Sequence, residues 1–273
     1  MYMGTFHDFI SKNSNKELSL EWLPPTLTIQ LNRPKRKNAL NGDTIKKLKN
    51  IFYSIQAFAE IKSIIIEGGE KQFCAGADLQ EISEIKKSGS KAIYENNKNF
   101  GELLHSIYNC PIPTIALVDG PALGGGMGLA CVCDFILCTP NASFGMPEPR
   151  LGIIAGQIFP YVFNKLGLIR TQEMALQGLK INGELAIEWQ FINSIHDDYT
   201  SLKAAAESIC LNILQCAPIA IQNTKKLIQT AAPINAMSID TIAKTLAHAT
   251  LSEEGLEGNT AFMEKRKPNW TKA

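Results

Sequence analysis

No stretch of this 273-residue chain approaches the ~18 uninterrupted apolar residues of a membrane-spanning helix, so none is expected. Charge of one sign is missing too. Lys and Arg number 27 against 26 Asp and Glu, and a net charge of +1 supplies no global field to draw in nucleic acid or an anionic membrane. Histidine is scarce. His7, His105, His196 and His248 show neither metal-ligand spacing nor a neighbouring nucleophile motif. Residues Met1 to Asn15 lack the apolar core of a signal peptide and read as a short polar arm. Seven cysteines, an odd number without such a signal, argue against a disulfide framework. A reducing compartment fits better, and the expected location is the cytoplasm. Cys131 and Cys133 have no partners at ligand spacing, so no metal is expected; small buried apolar side chains is the plainer reading. No internal repeat or low-complexity tract stands out.

What the chain does have is a pair of small-residue turns. One is Phe73-Cys74-Ala75-Gly76-Ala77-Asp78-Leu79; the other is Pro121-Ala122-Leu123-Gly124-Gly125-Gly126-Met127-Gly128. Each follows an apolar run with the pattern of a buried strand and precedes a helical pattern. Amides at a helix start are unpaired and sit at the positive end of the helix dipole. Two of them aimed at one point make an oxyanion hole, and small side chains let a carbonyl approach the backbone. Three successive glycines alone also fit a tight turn without a ligand.

Around these turns the pattern is α/β. Leu18, Leu20 and Trp22 alternate with polar residues, as do Leu27, Ile29 and Leu31, with Pro24-Pro25 between them: a strand, a turn and a strand. Ile45, Leu48, Phe52, Ile55 and Ala59 recur at helical spacing, with Asp43 as the expected N-cap. Ser63–Glu67, Thr114–Val118 and Phe135–Cys138 read as short buried strands. After about Asp198 only helical periodicity remains, broken by Pro218 and Pro233. Residues 1–200 therefore read as a core and 201–273 as a helical C-terminal region.

From Leu31-Asn32-Arg33-Pro34 to Phe262-Met263-Glu264-Lys265-Arg266-Lys267-Pro268 the chain resembles the enoyl-CoA hydratase/isomerase (crotonase) superfamily, in motif order and spacing. The resemblance implies a spiral of ββα units, a helical C-terminal region that builds homotrimers or homohexamers, and an acyl-CoA thioester as substrate. It implies no separate cofactor, because coenzyme A is part of the substrate. Ala77 and Gly125 match the family's two oxyanion-hole donors. Glu148, between Pro147 and Pro149, matches the second catalytic glutamate of its hydratases. A carboxylate partly buried in an apolar site has a raised pKa and can exchange protons near neutral pH.

The first catalytic glutamate falls at Gly128, which has no side chain with which to hold water. That leaves three readings. Hydration of a 2-enoyl-CoA comes first, with a branched or glutaconyl-type acyl group as candidate. The runs Gly124–Asp134 and Gly152–Pro160 resemble hydratases that lack the first glutamate. Δ3,Δ2-enoyl-CoA isomerisation, with Glu148 as single acid/base, comes second. A non-catalytic acyl-CoA-binding scaffold is third. For binding, the resemblance implies Ala75, Asp78, Leu79 and Gly124 as substrate-binding residues. It implies Lys35, Arg36 and Ala39 at the nucleotide, with Phe262 and Lys265 reaching it from the chain's end. Gln80 stands where many hydratases carry a lysine near the adenine. Asp78 also suits an N-cap, and each basic residue also suits a solvated charge run.

Overall fold

The computed structural model describes residues 6–69, 71–230, 253–254, 257, 260–261 and 264–271. Of the segment expected as a polar arm, residues 6–13 form a helix instead, and residues 1–5 lie outside the described residues. Helix α1 (Phe6–Asn13) packs Phe6 edge-on against Trp22 at 4.8 Å and beside Phe58 at 5.0 Å, and Phe9 is fully buried. Strands β1 (Leu18–Leu23) and β2 (Thr26–Leu31) form the expected hairpin, Leu18 opposite Leu31.

Helix α2 (Gly42–Ser54) follows, capped by Asn41, whose side chain accepts from Thr44 N at 2.8 Å. The expected cap, Asp43, lies inside the first turn instead. The chain continues through β3 (Ser63–Gly68), α3 (Leu79–Lys87), α4 (Ser90–Tyr108) and β4 (Thr114–Val118). Next come β5 (Pro121–Leu123), α5 (Gly125–Cys131), β6 (Phe135–Cys138), β7 (Ser143–Gly145) and α6 (Phe159–Gln177), which breaks at Gly167. Then β8 (Lys180–Asn182), α7 (Gly183–Glu188), β9 (Ser194–Ile195), α8 (Tyr199–Leu214) and α9 (Pro218–Thr230) complete the described elements.

The strands make two sheets. The larger has the order β1-β2-β3-β4-β6-β9, parallel from β2 onward; the smaller has the order β5-β7-β8. Parallel neighbours need crossovers, and the helices between β2 and β9 supply them. Both faces of the larger sheet are covered, which is why β3 and β4 read as unbroken apolar runs. Ile64, Ile66, Ala116 and Val118 face Leu48 and Phe52 of α2 and Leu103, Leu104 and Ile107 of α4 in one core. Ile65, Ile115, Leu117 and Leu137 face Leu202, Ala206 and Cys210 of α8 in a second.

Asp134 braces the region where α9 joins. It accepts from Thr114 N at 2.8 Å, from Thr114 Oγ1 at 3.0 Å and from Lys225 Nζ at 2.6 Å. Among the described residues no single helix is long and apolar enough to cross a membrane.

Candidate active site

The two small-residue turns meet where the sheets adjoin. The turn at 74–78 is gripped from both sides. Cys74 N donates to Pro121 O at 2.9 Å, and Leu123 N donates to Cys74 O at 3.0 Å. On the other side Leu40 N donates to Gly76 O at 2.7 Å and Asp78 N to Leu40 O at 3.0 Å. Gly76 has φ +93°, and a Cβ on it would stand 2.6 Å from Leu123 O and 3.1 Å from Gly125 N. These pairings skip the Ala77 N–H, which finds no acceptor among the described residues.

The second turn opens α5. Gly124 N donates to Gly145 O at 2.9 Å and Gly128 N donates back to Gly124 O at 3.0 Å. Gly125, first in the helix, has an amide with no acceptor among the described residues, as the geometry of a helix start requires. The Ala77 nitrogen lies 3.6 Å from the point where a Cβ on Gly125 would stand. Two unpaired amides from turns far apart in sequence are therefore neighbours.

Glu148 arrives on the third side. It follows β7 through Met146-Pro147 and opens a 3-10 turn, Glu148–Leu151. Its Oε1 lies 2.7 Å from the Cβ position of Gly124, whose φ of +51° also disfavours a side chain. Its Oε2 is buried and has no hydrogen-bond partner among the described residues. Burial pushes its carboxyl above the ordinary 4.5, against a smaller opposing pull from its own backbone amide. A buried acceptor without a partner is costly and calls for an occupant that supplies a proton.

Of the residues read from the sequence, Ala75, Ala77, Gly124, Gly125 and Glu148 come together here. Asp78 caps α3, accepting from Gln80 N at 3.2 Å and Glu81 N at 3.5 Å, and pairs with Arg33 at 3.0 Å. Burial opposes its ionisation, but the Arg33 guanidinium and those amides hold its carboxyl below the usual range. Leu79 and Gln80 follow it on the surface, Leu79 with 60% of its area exposed. Ala39 is buried, and its carbonyl accepts from Arg33. Lys35 and Arg36 are exposed on the turn Pro34–Arg36. Arg36 and Gln80 share a shallow cavity of about 230 Å³ with Arg33, Asp78, Glu81 and Glu84. Lys265 is exposed near the chain's end, and Phe262 lies outside the described residues.

Two residues of the site went unread. Phe100, on α4, brings its ring edge (Cζ) to 3.0 Å from the Cβ position of Gly125. Ile158 Cγ2 lies 2.1 Å from the Cβ position of Gly128. The glycine run signalled close approach, but nothing local names the partner. The buried Cys74, Cys131, Cys133 and Cys138 are no rivals to Glu148, because burial pushes their thiols up to about 12.

The enoyl-CoA hydratase/isomerase family model matches residues 26–273. The chain belongs to that family. Among relatives of the enoyl-CoA hydratase/isomerase family, the short-chain-enoyl-CoA hydratase of Clostridium acetobutylicum is 33% identical over 248 residues, covering 88% of this chain and 91% of that protein. The carnitinyl-CoA dehydratase of Citrobacter koseri is 31% identical over 264 residues, covering 90% and 95%. Among solved structures, Pseudomonas aeruginosa AtuE superposes with a TM-score of 0.91 at 32% identity, covering 94% of this chain and all of that one. An enoyl-CoA hydratase from Shewanella pealeana gives 0.92 at 28%, covering 98% and 100%. The fold is that of the crotonases.

Proposed function

We propose that this protein hydrates a 2-enoyl-CoA thioester, with Glu148 as its one acid/base group. The observation that carries the reading is the buried, unpartnered Glu148 carboxylate oxygen beside two unpaired amides. The thioester oxygen accepts from the Ala77 and Gly125 N–H groups. Water hydrogen-bonded to Glu148 adds its oxygen to C3 and gives its proton to the carboxylate. Electrons of the double bond move to the thioester oxygen as an enolate, which the two amides stabilise. The enolate collapses, and Glu148 returns the same proton to C2. A carboxyl raised by burial can take and give that proton within one cycle. The hydratase and dehydratase names among the relatives support hydration over other outcomes. A branched or glutaconyl-type acyl group remains the candidate, on the motif similarity around Gly124–Asp134 and Gly152–Pro160.

A second reading is Δ3,Δ2-enoyl-CoA isomerisation, in which Glu148 takes a proton from C2 and returns it at C4. What favours it is Ile158, which fills the place of any side chain on Gly128 and leaves Glu148 as the only carboxylate of the arrangement described above. The test is a panel of 2-enoyl, 3-enoyl and 3-methylglutaconyl-type CoAs, with products read by mass spectrometry and NMR. Hydration adds the mass of one water. Interconversion of 2- and 3-enoyl isomers at constant mass makes the protein an isomerase. Tight binding without turnover makes it a scaffold.

For the rest of the coenzyme, Lys35, Arg36 and Lys265 are the proposed phosphate contacts. A homotrimer or homohexamer, in the cytoplasm, is the proposed assembly. Leu168, Ile169 and Leu176 on α6 and Leu211 and Ile228 on α8 and α9 are more than half exposed, as an unmade interface would leave them. A clean monomer by light scattering at micromolar concentration sinks the assembly.

A further inference from the structure

Ile158 and its neighbour Gln157 each lie where a glycine leaves room. Ile158 Cγ2 and Cβ stand 2.1 and 2.8 Å from the Cβ position of Gly128 on α5. Gln157 Oε1 stands 2.2 Å from the Cβ position of Gly101 on α4. Neither glycine has a positive φ, so what requires glycine is the close approach of these side chains. Two consecutive residues are thus seated on two different helices.

The segment they close begins at Glu148. Gly152, at φ +70°, ends the turn, its N–H donating to Pro149 O at 3.1 Å. Ile153 N then donates to the Glu148 carbonyl at 3.2 Å. Between that bond and Ile158, residues 153–157 are mostly exposed, whereas Ile158 is 2% exposed and sits at the start of α6. The helix that receives Ile158 at Gly128 receives the Glu148 carboxylate one turn earlier, at Gly124.

We propose that Ile158 is a positioning residue for Glu148: seated on Gly128, it holds the segment bonded to the Glu148 carbonyl and keeps bulk solvent, other than the reacting water, from the carboxylate. Gln157 on Gly101 holds the same seat from α4. The inference rests on Glu148 as the acid/base group. Ile158 acts through it and moves no proton itself.

The test compares Ile158→Ala, Ile158→Val and Gly128→Ala with the parent on the enoyl-CoA that the panel identifies. Misplacing a catalytic group by about 1 Å costs on the order of 10²-fold. Ile158→Ala is expected to lose that much kcat with little change in KM, and the acid limb of its pH profile moves down toward 4.5. Ile158→Val restores most of the rate and the parent profile. Gly128→Ala, which pushes Ile158 from its seat, copies the Ile158→Ala profile.

A second readout needs no turnover. Glu148→Gln is made in the parent and in Ile158→Ala, and Tm is compared at about pH 5 and about pH 8. In the parent the substitution stabilises more at the higher pH; in Ile158→Ala that difference narrows as bulk solvent reaches the carboxylate. If Ile158→Ala does not fold, Ile158→Thr, which keeps the branch and adds a hydroxyl, is read the same way. An unmoved acid limb together with an unmoved Tm difference overturns the proposal. A parent inactive on every enoyl-CoA overturns the catalytic reading of Glu148, while the Tm comparison still decides the seat of Ile158.

Discussion

Replacing Gly125 by alanine adds one methyl group at a known place. Its carbon stands 3.6 Å from the Ala77 nitrogen and 3.0 Å from Phe100 Cζ. An oxygen accepting from the Ala77 N–H stands roughly 2.9 Å from that nitrogen. The methyl stands beside the Ala77 N–H, and the expected result is that it crowds an oxygen held there off at least one donor. Losing one donor of an oxyanion hole costs about 2.7–4 kcal/mol, or 10²–10³ in kcat. The fold is affected far less. Phe100 must give by a few tenths of an ångström, the low end of an overpacking cost of about 1–3 kcal/mol. Gly125 has no positive φ, and alanine relieves the helix penalty of glycine by roughly 0.5–1 kcal/mol. The two nearly offset, so Tm stays within about 4 °C of the parent. Steady-state kinetics on the panel's best substrate and thermal unfolding on the same preparation decide it. Parent-like kcat at parent-like Tm would refute the oxyanion-hole assignment. A Tm lower by much more than this would mean that the methyl disturbs the fold and that lost activity says nothing about the donors.

Glu148→Gln keeps shape but cannot exchange a proton, so turnover falls on the order of 10²–10⁴-fold while acyl-CoA affinity in calorimetry is retained; near-parental turnover moves the proton transfer to another group. The same variant gains stability. Because the folded carboxyl is raised above 4.5, the native state binds more protons than the unfolded state between 4.5 and the folded value, and parent stability falls as pH rises through that window. The Tm gain of Glu148→Gln is thus largest at neutral pH and vanishes below about 4.5. Lys225→Ala strips Asp134 of its ion pair but leaves both Thr114 donors and a partly exposed carboxylate, so the cost is roughly 1–3 kcal/mol, between an exposed and a buried pair, read in a urea melt. Asn41→Ala lowers stability by about 1 kcal/mol whereas Asp43→Ala barely moves it; equal losses would mean that Asn41 is not the cap.

Strands β1 to β4, β6 and both turns are legible because their signals are local, whereas β5, β7 and β8, three residues each, and β9, two, are too short to show a period. Ser63–Glu67 is apolar because both faces of β3 are covered, and Cys74–Asp78 and Gly124–Gly125 need small residues wherever they sit. The cap of α2 was misread for a reason that is not local. Asn41 and Asp43 are equally able caps, and the choice falls to Asn41 because Leu40 is held by Gly76 and Asp78 from the neighbouring turn, which fixes where the helix can begin. The N-terminal helix was missed likewise, since its fold depends on Trp22 and Phe58 receiving Phe6.

The glycines of the site show where sequence reading stops. Gly124 is required twice over, by a φ of +51° and by the Glu148 carboxylate 2.7 Å from its Cβ position. Gly128 and Gly101 have ordinary backbones and are required only by what packs on them. In the sequence the two kinds look alike, yet they respond differently to change. A side chain at Gly124 strains the backbone whatever else is altered. A side chain at Gly128 meets one residue, Ile158, whose Cγ2 and Cβ stand 2.1 and 2.8 Å from it, so the segment that carries Ile158 has to shift. The missing second carboxylate is therefore not a property of Gly128 alone. It belongs to a pair, and Gly128→Glu is expected to disturb packing; shortening Ile158 to alanine removes the 2.1 Å contact but leaves its Cβ at 2.8 Å, so the segment must still shift.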